Sequence, residues 1–317
     1  FVGILNTLLV ALVGCFFATI LGLFVGILRL SKNWLVAKLM SIYIEGFRNV
    51  PVLLWIVMIF ALLTEFTPAP KAFKGADPQA TMLLFDSIAV TNRGTYFPAP
   101  IFGEGSFWLL LSFILSVLIV IFIKQYANKQ KKETGKSLPT FWISILIIIL
   151  PTLGLYFLIG KPISLEYPYL KGFNFKDGIH LRNSFLALTL ALALYTSAFI
   201  AEIVRAGILA ISKGQTEAAA SLGLRPNKIM NLIILPQALR IIVPPLISNY
   251  LNLTKNSSLA IAVGYMDVRG TLGGITLNQT GRELESMLLL MGFYLCVSLL
   301  ISSVINYYNR SFQIVVR

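Results

Sequence analysis

About seven stretches of this chain approach or exceed the ~20 consecutive apolar residues that carry an α-helix across a bilayer. They lie near 3–28, 40–63, 106–123, 140–159, 184–210, 238–264 and 286–306. Inside hydrocarbon no water answers a backbone N–H or C=O, so a spanning segment must satisfy its own backbone, as a helix does. With 57% hydrophobic and 12% charged residues and a mean hydropathy of +0.81, the chain exceeds what a soluble core of 317 residues needs. The expectation is an all-α polytopic membrane protein with about seven transmembrane helices, embedded in a lipid bilayer.

A net charge of +13 fits nucleic acid in principle, but its distribution argues against that partner. The alternating segments around 29–48, 124–136, 205–240 and 307–317 hold sixteen Lys and Arg, and the other three loops hold nine. The richer set is cytoplasmic by the positive-inside rule, which starts the chain outside and ends it inside. Residue 1 is Phe and not Met, and an outside start requires an upstream helix. The first segment is too long and lacks the basic flank of a cleavable signal. Cys15 and Cys296 fall in apolar helices and His180 is the single histidine, so no disulfide, metal site or catalytic triad is expected.

One polar, alanine-rich island, residues 212–236, interrupts this pattern on the cytoplasmic side. Ser212 and Gln215 have the spacing of a capping box. Gly223 is placed to close the first helix in the left-handed conformation, and Pro226 suits the first turn of the next. Two short helices are expected. Ala218, Ala219 and Ala220 allow close approach of another surface, with Lys213 and Glu217 at the rim; an ordinary connector of good helix propensity is the other reading. Glu217, Ala218 and Ala219, with Gly223, resemble the EAA loop of ATP-binding-cassette (ABC) importer permeases. KGQTEAAASLGL with ILPQALRIIVPP is similar to the subfamily that carries polar amino acids: the histidine, glutamine and general L-amino acid permeases. NTLLVALVG, GFRNVPVLLW, YTSAFIAEIVRAGI and KNSSLA extend the resemblance over most of the chain outside residues 64–182.

The resemblance implies a type I ABC importer transmembrane domain in a bacterial inner membrane. The loop would be a coupling helix, with Gln215, Glu217, Ala218, Ala219, Ser221 and Gly223 at the ATPase. It further implies a homologous second permease, an ABC ATPase dimer that holds ATP and Mg, and a periplasmic amino acid binding protein. No cofactor is expected on this chain. TGKS at 134–137 ends like a P-loop, but Gln130 stands where its first Gly belongs and no strand precedes it, so the chain is not itself an ATPase.

In chain order, residues 1–63 hold two core helices, and Gly3, Gly14, Gly22 and Gly26 let neighbours approach the first of them. In EGFRNVP, Pro51 disfavours helix at Val50, so the second helix is broken near Arg48, as a gate or as a helix start at the headgroups. Arg48 matches the family's FRG[TV]P pattern, while Asn49 replaces its Gly. Residues 64–105 and 161–182 read as periplasmic loops and 106–160 as an inserted helix pair, similar to larger permeases for general or acidic and amide amino acids. The larger general amino acid permeases that the chain resembles also carry an upstream helix of the kind an outside start requires. Residues 183–317 complete the core.

Tyr195, Phe199, Glu202 and Arg205 share one face of the fifth span. A charge near the bilayer centre costs ~2.5–3.5 kcal/mol on insertion scales. Glu202 and Arg205 therefore pair at the inner surface, or Glu202 lines a path that Tyr195 and Phe199 shape. In the sixth span, prolines at 236, 244 and 245 interrupt the start, and Lys255, Asn256 and neighbouring Asn, Thr and Ser residues require water or a subunit interface. Lys255 either pairs structurally or attracts a substrate carboxylate. Arg48, Tyr195, Phe199, Glu202, Lys255 and Asn256 are the candidate path. The functional expectation is an ATP-driven importer of polar L-amino acids, of the Glu, Asp, Gln and Asn or broad-range type. The rival is a secondary transporter driven by an ion gradient, which has no use for the island.

Overall fold

A computed structural model of the chain describes residues 1–74, 78–134 and 139–312. The GKS of the P-loop look-alike, residues 135–137, lies outside them. In chain order the helices are α1 (Val2–Arg29), α2 (Trp34–Asn49), α3 (Val52–Glu65), α4 (Ser106–Thr134), α5 (Thr140–Leu158), α6 (Asn183–Leu209), α7 (Lys213–Ser221), α8 (Pro226–Val263), a short-turned run α9 (residues 268–280) and α10 (Glu283–Phe312). Among the described residues six of these are long and apolar enough to cross a membrane, and the bent pair α2 and α3 makes a seventh span. The chain divides into two compact units, residues 1–67, 91–94 and 181–317, and residues 68–90 and 95–180.

In the first unit α1 lies along α6. Between hydrocarbon and protein there is little transfer energy to gain from apolar side chains, so close van der Waals contact has to hold helices together. Gly22 and Gly26 make that contact: a Cβ at Gly22 would stand 2.6 Å from Ile200 Cβ, and one at Gly26 2.7 Å from the Ala201 carbonyl. α6 answers with Ala187, Ala191, Ala198 and Ala201, all fully buried. Around this seam Val10, Leu188, Leu192, Ile200 and Leu253 close a core without solvent exposure.

The second span is broken where Pro51 requires it. Val50 and Pro51 are extended, and α2 and α3 meet at 105°. The stacked rings of Phe47 and Trp55, 4.3 Å apart, clasp the bend, and Tyr43 packs on Phe47 at 4.8 Å. In the sixth span the expected interruption is absent. α8 runs unbroken from Pro226 through Pro244 and Pro245, and a widened π turn at Met230–Ile234 takes up the irregularity. The second short helix of the island is thus the first turn of a span.

Gly264 at φ +67° ends α8, and Asp267 opens α9 by accepting the Gly270 N–H at 2.7 Å. Asp267 is fully buried. Burial pushes its carboxyl above the ordinary carboxylate range, against the hydrogen bond from Gly270. Thr7 Oγ1 accepts the Val268 N–H at 3.0 Å and Asn6 Nδ2 donates to the Met266 carbonyl at 2.7 Å, fastening this turn to the start of α1.

The second unit departs from the all-α expectation. Among the described residues, the segments around α4 and α5, read as loops from sequence, contain seven short strands, whose ends reach into the first unit at Thr91, Gly94 and Leu181: β1 (Ala89–Thr91), β2 (Gly94–Phe97), β3 (Ala99–Phe102), β4 (Ile163–Glu166), β5 (Tyr169–Lys171), β6 (Asn174–Lys176) and β7 (Ile179–Leu181). They form sheets β1-β2-β7, β3-β4 and β5-β6, with Ala99 opposite Glu166 and Tyr169 opposite Lys176. Strands of three or four residues between Pro and Gly are too short for a period-two pattern to show. Ala89, Tyr96 and Phe175 form a small core with Phe73, Met82 and Leu170 against it. Leu84, Phe85 and Asp86 stand at φ 51°, 57° and 57°, a left-handed turn that costs L-residues ~1–2 kcal/mol each.

Gly22→Ala is expected to force α1 and α6 apart and destabilise the protein by about 1–3 kcal/mol. Gly214→Ala, where nothing lies within 4 Å of the added carbon, serves as the silent control. Thermal unfolding in detergent compares them, and equal midpoints would rule out the α1–α6 contact.

Candidate functional site

The polar residues of α8 and the aromatic face of α6 enclose a cavity of about 240 Å³, lined by Tyr195, Thr196 and Phe199 on one side and by Asn249, Asn252, Lys255 and Asn256 on the other. Its size suits one small polar solute rather than a drug-sized ligand, for which ~300–1,000 Å³ is usual. Helical periodicity makes both walls: Tyr195 and Phe199 are four residues apart on α6, as are Asn252 and Asn256 on α8. The Tyr195 and Phe199 rings are 5.0 Å apart. From the end of α2 the Arg48 guanidinium lies 5.2 Å from the Phe199 ring centre, a cation–π distance. The bend at Pro51 follows Arg48 directly in sequence.

Lys255 is exposed, and among the described residues it has no carboxylate or carbonyl partner for its ammonium group. The structural pairing considered from sequence is therefore absent here, and the side chain belongs to the cavity wall. The hydroxyl-bearing neighbours are turned to the helix backbone: Thr254 donates to the Tyr250 carbonyl at 2.8 Å and Ser257 to that of Thr254 at 2.7 Å. These bonds satisfy polar side chains inside the span and leave the amides of Asn252 and Asn256 and the ammonium of Lys255 for the cavity.

Glu202 lies one turn beyond Phe199 and is not among the residues that line the cavity. Its Oε1 accepts from Arg205 Nε at 3.2 Å and Nη2 at 2.8 Å, and its Oε2 accepts from Arg29 of α1. Arg29 also reaches Ser41 of α2 at 3.5 Å. The Arg205 pair is legible from the (i, i+3) spacing. Arg29 was not, because nothing local in LRLSK says which carboxylate it meets across 173 residues. Thr196, Asn249 and Asn252 also escaped the candidate set; the polar run NYLNLTKN was the signal for the two asparagines, and Thr196 carries none.

At the alanine-rich island the expected capping box does not form. Ser212 is the N-cap, but its side chain makes no cap bond, and the Gln215 N–H is answered by the Ser212 carbonyl at 3.1 Å. The C-terminal end follows the sequence closely. Gly223 has φ +77°, its N–H bonds the Ala220 carbonyl at 2.9 Å, and the Leu224 N–H bonds that of Ala219 at 3.2 Å. These two bonds make a Schellman end. Pro226 takes the first helical position of α8, and α7 packs on the first turns of that helix. Gln215, Glu217, Ala218, Ser221 and Gly223 are exposed, whereas Ala219 is buried, which removes it from the presented face. No heavy atom lies within 4 Å of a Cβ added at Gly223.

Glu202→Ala leaves Arg29 and Arg205 facing each other without their carboxylate, and a loss on the order of 2 kcal/mol is expected, discounted for partial exposure. A lowered thermal midpoint that Arg29→Ala partly restores in the double variant is the signature. Independent, additive losses would mean that no shared ion pair exists.

A family described as binding-protein-dependent transport system inner membrane component matches residues 133–313. The glutamate/glutamine/aspartate/asparagine transport system permease protein BztB of Rhodobacter capsulatus is 53% identical over 91% of this chain and 72% of its own length. The general L-amino acid transport system permease protein AapQ of Rhizobium johnstonii is 43% identical over 100% of this chain and 77% of its own. Among solved structures, an amino acid ABC transporter crystallised with histidines superposes at TM-score 0.55 with 19% identity, covering 98% of this chain and 92% of that one. A chain of the MetNI methionine ABC transporter, inward facing, does so at 0.53 with 16% identity, covering 98% and 95%; at such identities the likeness is one of fold. Taken with six or seven apolar spans, these matches place the chain in the family of binding-protein-dependent transport system inner membrane components, as a multi-pass permease subunit of a bacterial ABC importer.

Proposed function

We propose that this permease carries polar L-amino acids, of the glutamate, aspartate, glutamine and asparagine or broad-range type. It would form the path with a homologous second permease and draw on a separate ATPase dimer, where ATP and Mg act. The observation that carries the reading is the joint presence of the cavity between Tyr195, Phe199, Lys255 and Asn256 and the exposed α7, on one continuous stretch from α6 to α8. The names of BztB and AapQ support the substrate class.

In this mechanism a periplasmic binding protein delivers the amino acid outside. ATP binding closes the ATPase dimer, two α7 helices move together with it, and the bundle opens outward. Lys255 supplies a positive charge for the carboxylate that every amino acid carries, Asn252 and Asn256 supply amides for its other polar groups, and Arg48 holds the Phe199 ring at the cavity wall. An ion-gradient mechanism gives α7 no task.

Two outcomes test this reading in proteoliposomes that hold the complete importer. Gly223→Asp strains the backbone by only about 1 kcal/mol and meets no atom of this chain; folding is expected to persist while uptake falls at least ten-fold, because the ATPase surface is spoiled. Lys255→Gln is expected to raise the half-saturating substrate concentration about ten-fold or more, the worth of one charge-assisted hydrogen bond, with the subunits still assembled. Uptake at wild-type rates in the first variant would remove the coupling role of α7, and an unchanged concentration dependence in the second would remove Lys255 from the path.

A further inference from the structure

The turn that follows Met82 in the second unit serves neither the cavity nor α7. The Leu83 N–H bonds the Ile88 carbonyl at 2.8 Å and the Ile88 N–H bonds that of Leu83 at 3.0 Å, closing a tight tip over residues 84–87. Its base is fixed, since Ala89 is fully buried against Tyr96 and Phe175. Its crown is the reverse: Leu84 is 68% and Phe85 101% exposed, held in the left-handed region together with Asp86. A large apolar side chain presented to solvent on a closed turn is partly preorganised for a partner, because the backbone that carries it is already ordered.

Beside the tip is a pocket of about 300 Å³ whose lining includes Phe73, Tyr169 and Phe175 together with Met82 and Asp86. The Asp86 carboxylate meets no cation and no hydrogen-bond donor among the described residues. Aromatic walls with one unpaired carboxylate are the chemistry that takes a lysine or arginine side chain, its stem on the rings and its head on the acid. The tip belongs to residues 64–105, which the distribution of Lys and Arg assigns to the outer side. A bilayer surface is the poorer fit, because an unpaired carboxylate within the tip opposes insertion among anionic headgroups.

Resting on the importer reading above, we propose that this tip and pocket are a docking seat for the periplasmic binding protein, which inserts a lysine or arginine side chain beside Asp86 while Phe85 enters an apolar recess on its surface. The test uses the complete importer in nanodiscs, titrated with the amino-acid-loaded binding protein that stimulates the wild-type ATPase. Asp86→Lys and Phe85→Ser are each expected to raise the concentration for half-maximal stimulation about ten-fold, with basal hydrolysis and maximal stimulation unchanged, and Asp86→Asn to fall between them and wild type. Wild-type titrations in all three variants would overturn the seat while leaving the importer reading intact. In Phe85→Trp, fluorescence that shifts to the blue on adding the binding protein supports the seat, and quenching by brominated lipid in its absence would identify a membrane-inserted tip and overturn it. A wild-type importer that no binding protein stimulates would refute the importer reading itself, and the seat with it.

Discussion

The contact between α1 and α6 is the constraint on which the first unit depends. Two helices in hydrocarbon gain little by exchanging lipid for leucine, so their backbones must approach closely or not associate. Gly22 and Gly26 permit that approach, and the alanines of α6 complete it. Once the two backbones are in register, Arg29 at the last turn of α1 comes opposite Glu202 of α6, and the same carboxylate holds Arg205. A charged group that would oppose insertion if left alone becomes a fixed point, because its partners arrive with the packing. The Arg29 pair follows from the glycines, since Arg29 has no local reason to find Glu202, whereas the Arg205 pair is local to α6.

With that seam fixed, irregular backbone and polar side chains are confined to places where the chain can satisfy them. Pro51 breaks the second span, but the Phe47 and Trp55 rings clasp the corner and Arg48 rests on Phe199. In α8 the hydroxyls of Thr254, Ser257 and Ser258 bond the carbonyls three or four residues back. The groups with long or forked polar ends, Asn252, Lys255 and Asn256, have no such local solution and line the cavity. The hydroxyls of α8 serve the helix, Asn252, Lys255 and Asn256 serve the space beside it, and Asn249 does both, lining the cavity and donating to the Pro245 carbonyl at 3.0 Å.

Much of this was legible in the chain because the bilayer makes strong demands on sequence. Length and apolarity located the spans, although α8 begins at Pro226 where the apolar run suggested 238, because the polar first turns of the helix hide its start, and α4 runs on past 123. Gly223 and Pro226 announced a left-handed stop and a new first turn, and both act so, since few other residues fit those conformations. The failures have equally physical causes. Ser212 and Gln215 have the right spacing for a capping box, yet a backbone carbonyl answers the Gln215 N–H. Pro244 and Pro245 do not stop α8, because a transmembrane helix tolerates proline when neighbouring groups take over the freed carbonyls. Ala219 was grouped with Ala218 as a docking residue, but adjacent positions point about 100° apart on a helix, and Ala219 turns inward. The strands of the second unit are too short to show a period, and Arg29 is a partner that only tertiary packing could select.

The shape of α8 bears on how a push at the cytoplasmic surface reaches the cavity. From Pro226 to Lys255 the helix advances roughly 44 Å at 1.5 Å per residue, without a non-helical break. α7 is joined to its first turn by four residues, and the Schellman bonds at Gly223 leave that joint little freedom. On the proposed reading, displacement of α7 is therefore delivered to the base of α8 as motion of the helix as a whole. Such a helix needs somewhere to yield, or the displacement would be absorbed at the α6 seam. The π turn at Met230–Ile234 and the proline pair at Pro244 and Pro245 are the places where hydrogen bonds along α8 are widened or missing. Both lie between α7 and the polar stretch around Lys255. Bending there carries Asn252, Lys255 and Asn256 relative to Tyr195 and Phe199, whose helix is pinned to α1 by Gly22, Gly26 and the Glu202 ion pairs. The cavity is thus bounded by one wall pinned to α1 and one wall continuous with the helix that α7 adjoins; if α7 faces the ATPase as proposed, that is the arrangement alternating access requires of a single subunit.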